Sequence, residues 1–201
     1  LLTKLKQRVQ SWLTSEATLL HRLGLTPNHV SIIGIIIAFL SAFAYWQWEY
    51  NPLLLILAPV LMLTSGLFDA LDGAIARIYN ETSTFGGFFD SLLDRYADAI
   101  ILCGIILGGL TRIEWGLATL VGSMLVSYAR ARAEAAGVKM ESVGLAERAE
   151  RIVILAATSF LSYFWIDALN WGILLLAILT NLTVIQRAIY FRKALKKDVK
   201  P

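Results

Sequence analysis

The 201-residue chain has one cysteine, Cys103, and two histidines. The lone cysteine excludes an intrachain disulfide framework, and no His/Cys cluster of the kind that holds zinc can be built. Charge is scarce too: 16% of residues are charged and 57% are hydrophobic, against roughly 25% and 45–50% in soluble domains. A mean hydropathy of +0.65 fits membrane composition instead. Charged side chains are missing altogether from Val30–Trp48, Tyr50–Phe68 and Ala168–Gln186, each 19 residues long, and about 20 apolar residues carry a helix across a hydrocarbon core of roughly 30 Å. The shorter uncharged runs Ala99–Thr111, Trp115–Ala129 and Ile152–Ile166 make spans only if each helix carries charged residues at one end.

These runs predict an all-α polytopic membrane protein with six transmembrane helices, near 29–48, 52–78, 85–109, 113–136, 147–166 and 168–190. Six spans put both termini on one side. Basic residues from Lys4 to Lys200 then fall on that side, and the opposite loops hold Arg112 alone. The positive-inside rule makes the termini and the charged helix ends cytoplasmic, in a multi-pass protein of the cell membrane. No soluble domain is evident, so 1–201 reads as one membrane domain. Residues 1–22 lack the compact apolar segment and small-residue cleavage site of a signal peptide. Leu2, Leu5, Val9, Trp12 and Leu13 recur there at helical spacing opposite Lys4, Lys6 and Arg8, which predicts an amphipathic helix lying in the membrane interface. The segment from Gly24 to Asn28 breaks that helix and opens the first span. The net charge of +3 does not call for nucleic acid, because the bases sit at helix ends and in a terminal tail, where anionic headgroups and phosphorylated substrates account for them. Gly104 and Gly108 form a small-residue pair suited to close helix packing and to a homodimer.

The carboxylates are concentrated. Asp69, Asp72, Gly73, Ala76 and Arg77 share one helical face at the end of the second span, and Asp90, Asp94 and Asp98 share a face of the third. An ionised Asp in a membrane helix costs about 2.5–3.5 kcal/mol on insertion scales. Several together also repel one another unless a cation lies among them. Carboxylate oxygens favour hard divalent ions, and two such ions roughly 3.5–4 Å apart hold a diphosphate and stabilise both attacking and leaving oxygens. Gly73 and Ala76 leave the helix face open to a bulky nucleotide, and Arg77 offers a forked donor to phosphate. Taken singly, Gly73 and Ala76 read equally well as packing residues and Arg77 as a helix-end anchor; the joint spacing favours the site.

The stretch from Asp69 to Asp94 resembles the signature of the CDP-alcohol phosphotransferase family, D-x-x-D-G-x-x-A-R, eight intervening residues, then G-x-x-x-D-x-x-x-D, with Gly86, Asp90 and Asp94 completing it. The resemblance implies a phosphotransferase acting on a CDP-lipid. It implies that Asp69, Asp72 and Asp90 are ligands of two metal ions, Mg²⁺ with Mn²⁺ as the alternative, and that Asp94 is both the base on the acceptor hydroxyl and a fourth ligand. It assigns Gly73, Arg77, Ser83 and Gly86 to the CDP-lipid. The entry to the first span, Asn28-His29-Val30-Ser31, is similar to the family's start of that span and is assigned to the nucleotide site. His29 as a base is the weaker reading, since Asp94 fills that role. Asp98 either tunes Asp94 or pairs with Arg95.

Several guanidinium groups also gather at the cytoplasmic helix ends. The sequence around Ser127, Arg130 and Arg132, followed by Arg148 and Arg151, is similar to the family branch that makes phosphatidylinositol phosphate and its archaeal counterpart. That branch uses inositol 1-phosphate, so Ser127, Arg130, Arg132, Arg148, Arg151 and Arg187 are expected to hold the acceptor phosphate. The same chemistry on glycerol 3-phosphate is the nearest alternative. A cation transporter would spread its carboxylates along a pathway, whereas these cluster at the ends of two adjacent spans.

Overall fold

The computed structural model describes the backbone of residues 13–140 and 143–198, with side chains as far as 195, and these residues are helical without a strand. In chain order the elements are α1 (13–22), α2 (Pro27–Trp46), a short 3-10 turn (Trp48–Tyr50), α3 (Leu54–Ile78), α4 (Thr84–Leu107), α5 (Ile113–Ala135), α6 (Arg148–Ser162) and α7 (Asp167–Asp198). A helix occupies each of the six stretches expected to span. By length and composition, α2, α3 and α7 as far as Leu195 are able to cross a membrane. Their outward faces stay apolar: Ile36, Phe39, Phe43, Val60, Leu63, Ile178 and Ile185 are all exposed. Apolar surface on this scale fits a lipid surround and not water. The chain is a membrane protein.

Local chemistry sets the ends that matter for function. Gly24, at φ 82°, takes the left-handed turn that stops α1. Thr26 then caps α2, its Oγ1 accepting from the His29 N–H at 3.4 Å, with Pro27 at the first helical position, where a missing N–H does no harm. After α3, Asn80 adopts φ 55° and the Glu81 N–H reaches back to the Ala76 carbonyl at 3.0 Å. This closes α3 by satisfying one of its last carbonyls. Ser83 caps α4 by accepting from the Gly86 N–H at 2.9 Å.

The chain divides into two compact units, to both of which α2, α3 and α4 contribute. The first comprises Leu1–Ser41 and Val60–Ile101. Its core joins Ala17, Val30, Leu71, Ala74 and Ile75, with Leu13, Leu20, Phe68 and Tyr79 packed around them. Within the described part of α1, therefore, the apolar face with Leu13, Ala17 and Leu20 turns onto α2 and α3. The expected interfacial helix rests mostly on residues 1–12, which lie outside the described residues. Ser65 Oγ donates to the Gly34 carbonyl at 2.8 Å and draws α2 against α3.

The second unit comprises Ala42–Pro59 and Leu102–Pro201. In it α7 packs against α5 and α6. Thr119 Oγ1 donates to the Ile173 carbonyl at 2.9 Å, and Asn181 Nδ2 to the Ala118 carbonyl at 3.2 Å. The Tyr45 hydroxyl donates to Ser159 Oγ at 2.7 Å, fastening the end of α2 to α6. Gly104 and Gly108 face the Ala42 and Tyr45 backbones so closely that a Cβ on either would overlap them. The small-residue pair thus packs helices of the same chain.

Candidate active site

The first unit brings the carboxylate rows together. Asp69 and Asp72 lie about one turn apart near the end of α3, and the reversal through Asn80 returns Asp90 on α4 to meet them. One carboxylate oxygen from each of Asp69, Asp72 and Asp90 falls within 4.8 Å of the other two. Asp72 is buried and the other two are half-buried. Ser31 Oγ donates to Asp72 Oδ2 and fixes its rotamer. Three carboxylates so close, partly removed from water, repel strongly unless a cation is shared among them. The donor set, all carboxylate oxygen with no thiolate or imidazole, fits a hard divalent ion.

Asp94 sits one turn beyond Asp90 on the same helix, with its side chain only 15% exposed. Arg95 Nη1 pairs with Asp94 Oδ2 at 3.3 Å and also donates to the Ser91 carbonyl at 2.8 Å. Asp98 lies one turn further along the same helix.

Beside the aspartates opens a cavity of about 370 Å³. Asn28, Ser31, Gly73, Arg77, Ser83 and Gly86, all expected at the nucleotide, line it together with Asp72, Ala76 and Asp90. Two expected residues do not line it. Val30 is fully buried in the core cluster, because the position after His29 on α2 faces α3. His29 is exposed, and its Nδ1 accepts from the Thr26 N–H at 3.4 Å in a reciprocal cap. Thr26, Pro27, Glu81, Thr82 and Gly87 also line the cavity and were not singled out beforehand. Their signal was present: each flanks a helix start or stop, and the first turns of α2 and α4 both open onto the cavity. Helix N-termini present unsatisfied N–H groups and favour anions. The Arg77 guanidinium lies over Gly73, 3.3 Å from where a Cβ would be, so a side chain there would crowd that guanidinium.

The expected acceptor residues all lie in the second unit. Arg132 is exposed, and Arg130 Nε donates to Glu134 Oε1 at 2.8 Å across one helical turn. Ser127 and Arg148 are half-buried. Arg151 and Arg187 are buried instead. Arg151 Nη1 donates to the Ala146 carbonyl at 3.3 Å. Arg187, 2% exposed, donates from Nε to the Val143 carbonyl at 2.9 Å, from Nη1 to the Val126 carbonyl at 2.6 Å and from Nη2 to Glu147 at 3.4 Å. It ties the α5–α6 connection to α7.

Comparison with known proteins identifies relatives of the whole chain. The pattern of the CDP-alcohol phosphatidyltransferase family matches residues 24–185. An archaetidylinositol phosphate synthase of Pyrococcus horikoshii is 41% identical over 196 residues, covering 98% of this chain and 99% of the relative. The crystal structure of Mycobacterium tuberculosis phosphatidylinositol phosphate synthase with CDP-DAG bound superimposes with a TM-score of 0.78 at 32% identity, covering 89% of this chain and 92% of that one. A second structure of that enzyme, in complex with manganese and citrate, has the same TM-score and covers 89% and 88%. The chain belongs to the CDP-alcohol phosphatidyltransferase family and is an enzyme of that phosphotransferase type.

Proposed function

We propose that the protein transfers a lipid-linked phosphoryl group from a CDP-lipid, CDP-diacylglycerol or CDP-archaeol, to inositol 1-phosphate, releasing CMP. The observation that carries this reading is the Asp69, Asp72 and Asp90 cluster opening onto a cavity lined by Gly73, Arg77, Ser83 and Gly86. The names of the archaeal and mycobacterial relatives, both inositol phosphate lipid synthases, support the choice of acceptor.

In this proposal Asp69, Asp72 and Asp90 hold two Mg²⁺ ions, or Mn²⁺ in their place, with Asp94 as a fourth ligand. When bound, the metal supplies neutralisation of the diphosphate charge and polarisation of its phosphorus. The first turns of α2 and α4, with Arg77, orient the CDP moiety. Asp94 takes the proton from the acceptor hydroxyl, the hydroxyl oxygen bonds to the lipid-bearing phosphorus, and the bond to CMP breaks. Arg132, with Ser127, Arg130 and Arg148, receives the acceptor phosphate. Arg151 and Arg187 support that region from within.

The proposal includes one membrane domain of six spans with an interfacial helix before it, cytoplasmic termini and active site, and a homodimeric assembly. The test is CMP release by purified protein supplied with CDP-diacylglycerol or CDP-archaeol, Mg²⁺, and in parallel inositol 1-phosphate, glycerol 3-phosphate and free inositol. Inositol 1-phosphate should be strongly preferred. Equal use of free inositol, or preference for glycerol 3-phosphate, would overturn the acceptor assignment.

A further inference from the structure

Glu81 is an anomaly in a cavity read as receiving a diphosphate. It is a third carboxylate on the cavity wall besides Asp72 and Asp90, yet it does not belong to the metal-type cluster. An unrestrained carboxylate there would repel an anionic substrate. The structure ties it back. His21, at the end of α1, approaches Glu81 Oε1 with Nε2 at 3.1 Å; the carboxylate only accepts, so the imidazole donates. The ring of His21 stacks on Tyr79 at 3.5 Å between centroids and 6° between planes. Tyr79 packs against the first unit's core, as do Leu13 and Leu20 of α1, and the Glu81 N–H is held by the Ala76 carbonyl. Backbone and side chain of Glu81 are thus fixed from opposite directions.

We infer that His21 is a positioning residue for the nucleotide substrate: its hydrogen bond holds the Glu81 carboxylate at the rim of the cavity, so that the diphosphate enters unopposed. This gives the described part of α1 a role in substrate binding beyond packing. The inference rests on the reading of the cavity as the CDP-lipid site.

The experiment is steady-state kinetics of CMP release, varying CDP-diacylglycerol at saturating inositol 1-phosphate, with thermal stability measured alongside. H21A should raise the KM for the CDP-lipid about three- to tenfold, the scale of one partly screened charge, with kcat and the acceptor KM within about twofold. E81Q alone removes the restrained charge and should not raise that KM. The double variant H21A/E81Q should return the KM to near wild type, because the charge that His21 restrains is gone. H21F keeps a ring on Tyr79 but no donor, and should behave as H21A does even if H21A folds poorly. An unmoved KM in both His21 variants would overturn the inference, as would failure of E81Q to rescue, which marks a structural role only. A raised KM in E81Q alone would also overturn it, since Glu81 would then be a direct contact to the nucleotide. Absence of CMP release by wild type would overturn the underlying reading and this inference with it.

Discussion

Asp72 is the buried member of the carboxylate cluster, and Ser31 holds its Oδ2, so its geometry is set before any ion arrives. D72N keeps the shape and removes one charge. It should weaken Mn²⁺ binding, read by electron paramagnetic resonance or calorimetry, at least tenfold, on the scale of a lost metal-site partner, and abolish CMP release. D94N should lower kcat far more than CDP-lipid affinity, as expected of a base acting on the acceptor; a collapse of Mn²⁺ binding in D94N would instead make Asp94 chiefly a ligand. The arginines separate by burial. R132Q, at an exposed position, should raise the acceptor KM about ten- to a hundredfold, from charge-assisted hydrogen bonds of about 1.5–3 kcal/mol, with stability unchanged. R187Q should instead cost about 2–3 kcal/mol of stability, because the Val126 and Val143 carbonyls lose charged donors. Thermal denaturation in detergent beside acceptor kinetics distinguishes the two. The sequence places Arg132 and Arg187 in one class of helix-end cations, and nothing in spacing or composition reveals that only one of them is enclosed.

At the scale of elements, the helices and their ends were legible because caps and breakers are local. Thr26-Pro27, Ser83 and Gly24 carry their own instructions within a few residues. Contacts between helices were less legible. Gly104 and Gly108 read equally well as a dimer face or as an internal seam, and the backbones of Ala42 and Tyr45 against them decide for the seam. G104A should therefore destabilise the protein by about 1–3 kcal/mol, towards the upper end because the obstacle is backbone. G66A, at a helical position with no atom near the added Cβ, should be neutral or stabilising by up to about 1 kcal/mol. Comparable losses in both variants would show that the seam is loose.

For the whole molecule, the bias of basic residues toward one side predicts the orientation of every loop. In a C103S background, which removes the only native thiol, the six-span arrangement would put Y50C on the opposite side from the termini and K139C on the same side. Both positions are exposed, Tyr50 to 87%. A membrane-impermeant maleimide added to intact cells should label Y50C and spare K139C until the membrane is permeabilised. Labelling of both in intact cells would contradict the six-span arrangement.

The sequence by itself determined the membrane character, the helical fold and the chemistry of the metal-type site. Hydropathy and the i, i+3, i+4 spacing act within one helix, and Asp69, Asp72 and Asp90 are each recognisable from neighbours close in the chain. Only the tertiary structure decided that Val30 belongs to the core and not to the cavity, and that Arg187 is enclosed while Arg132 is exposed. It alone set Glu81 against His21, 60 residues away. These outcomes depend on the rotation of each helix about its axis and on which neighbour it meets. Both are set by the packing of many side chains at once, and no local run of residues encodes them.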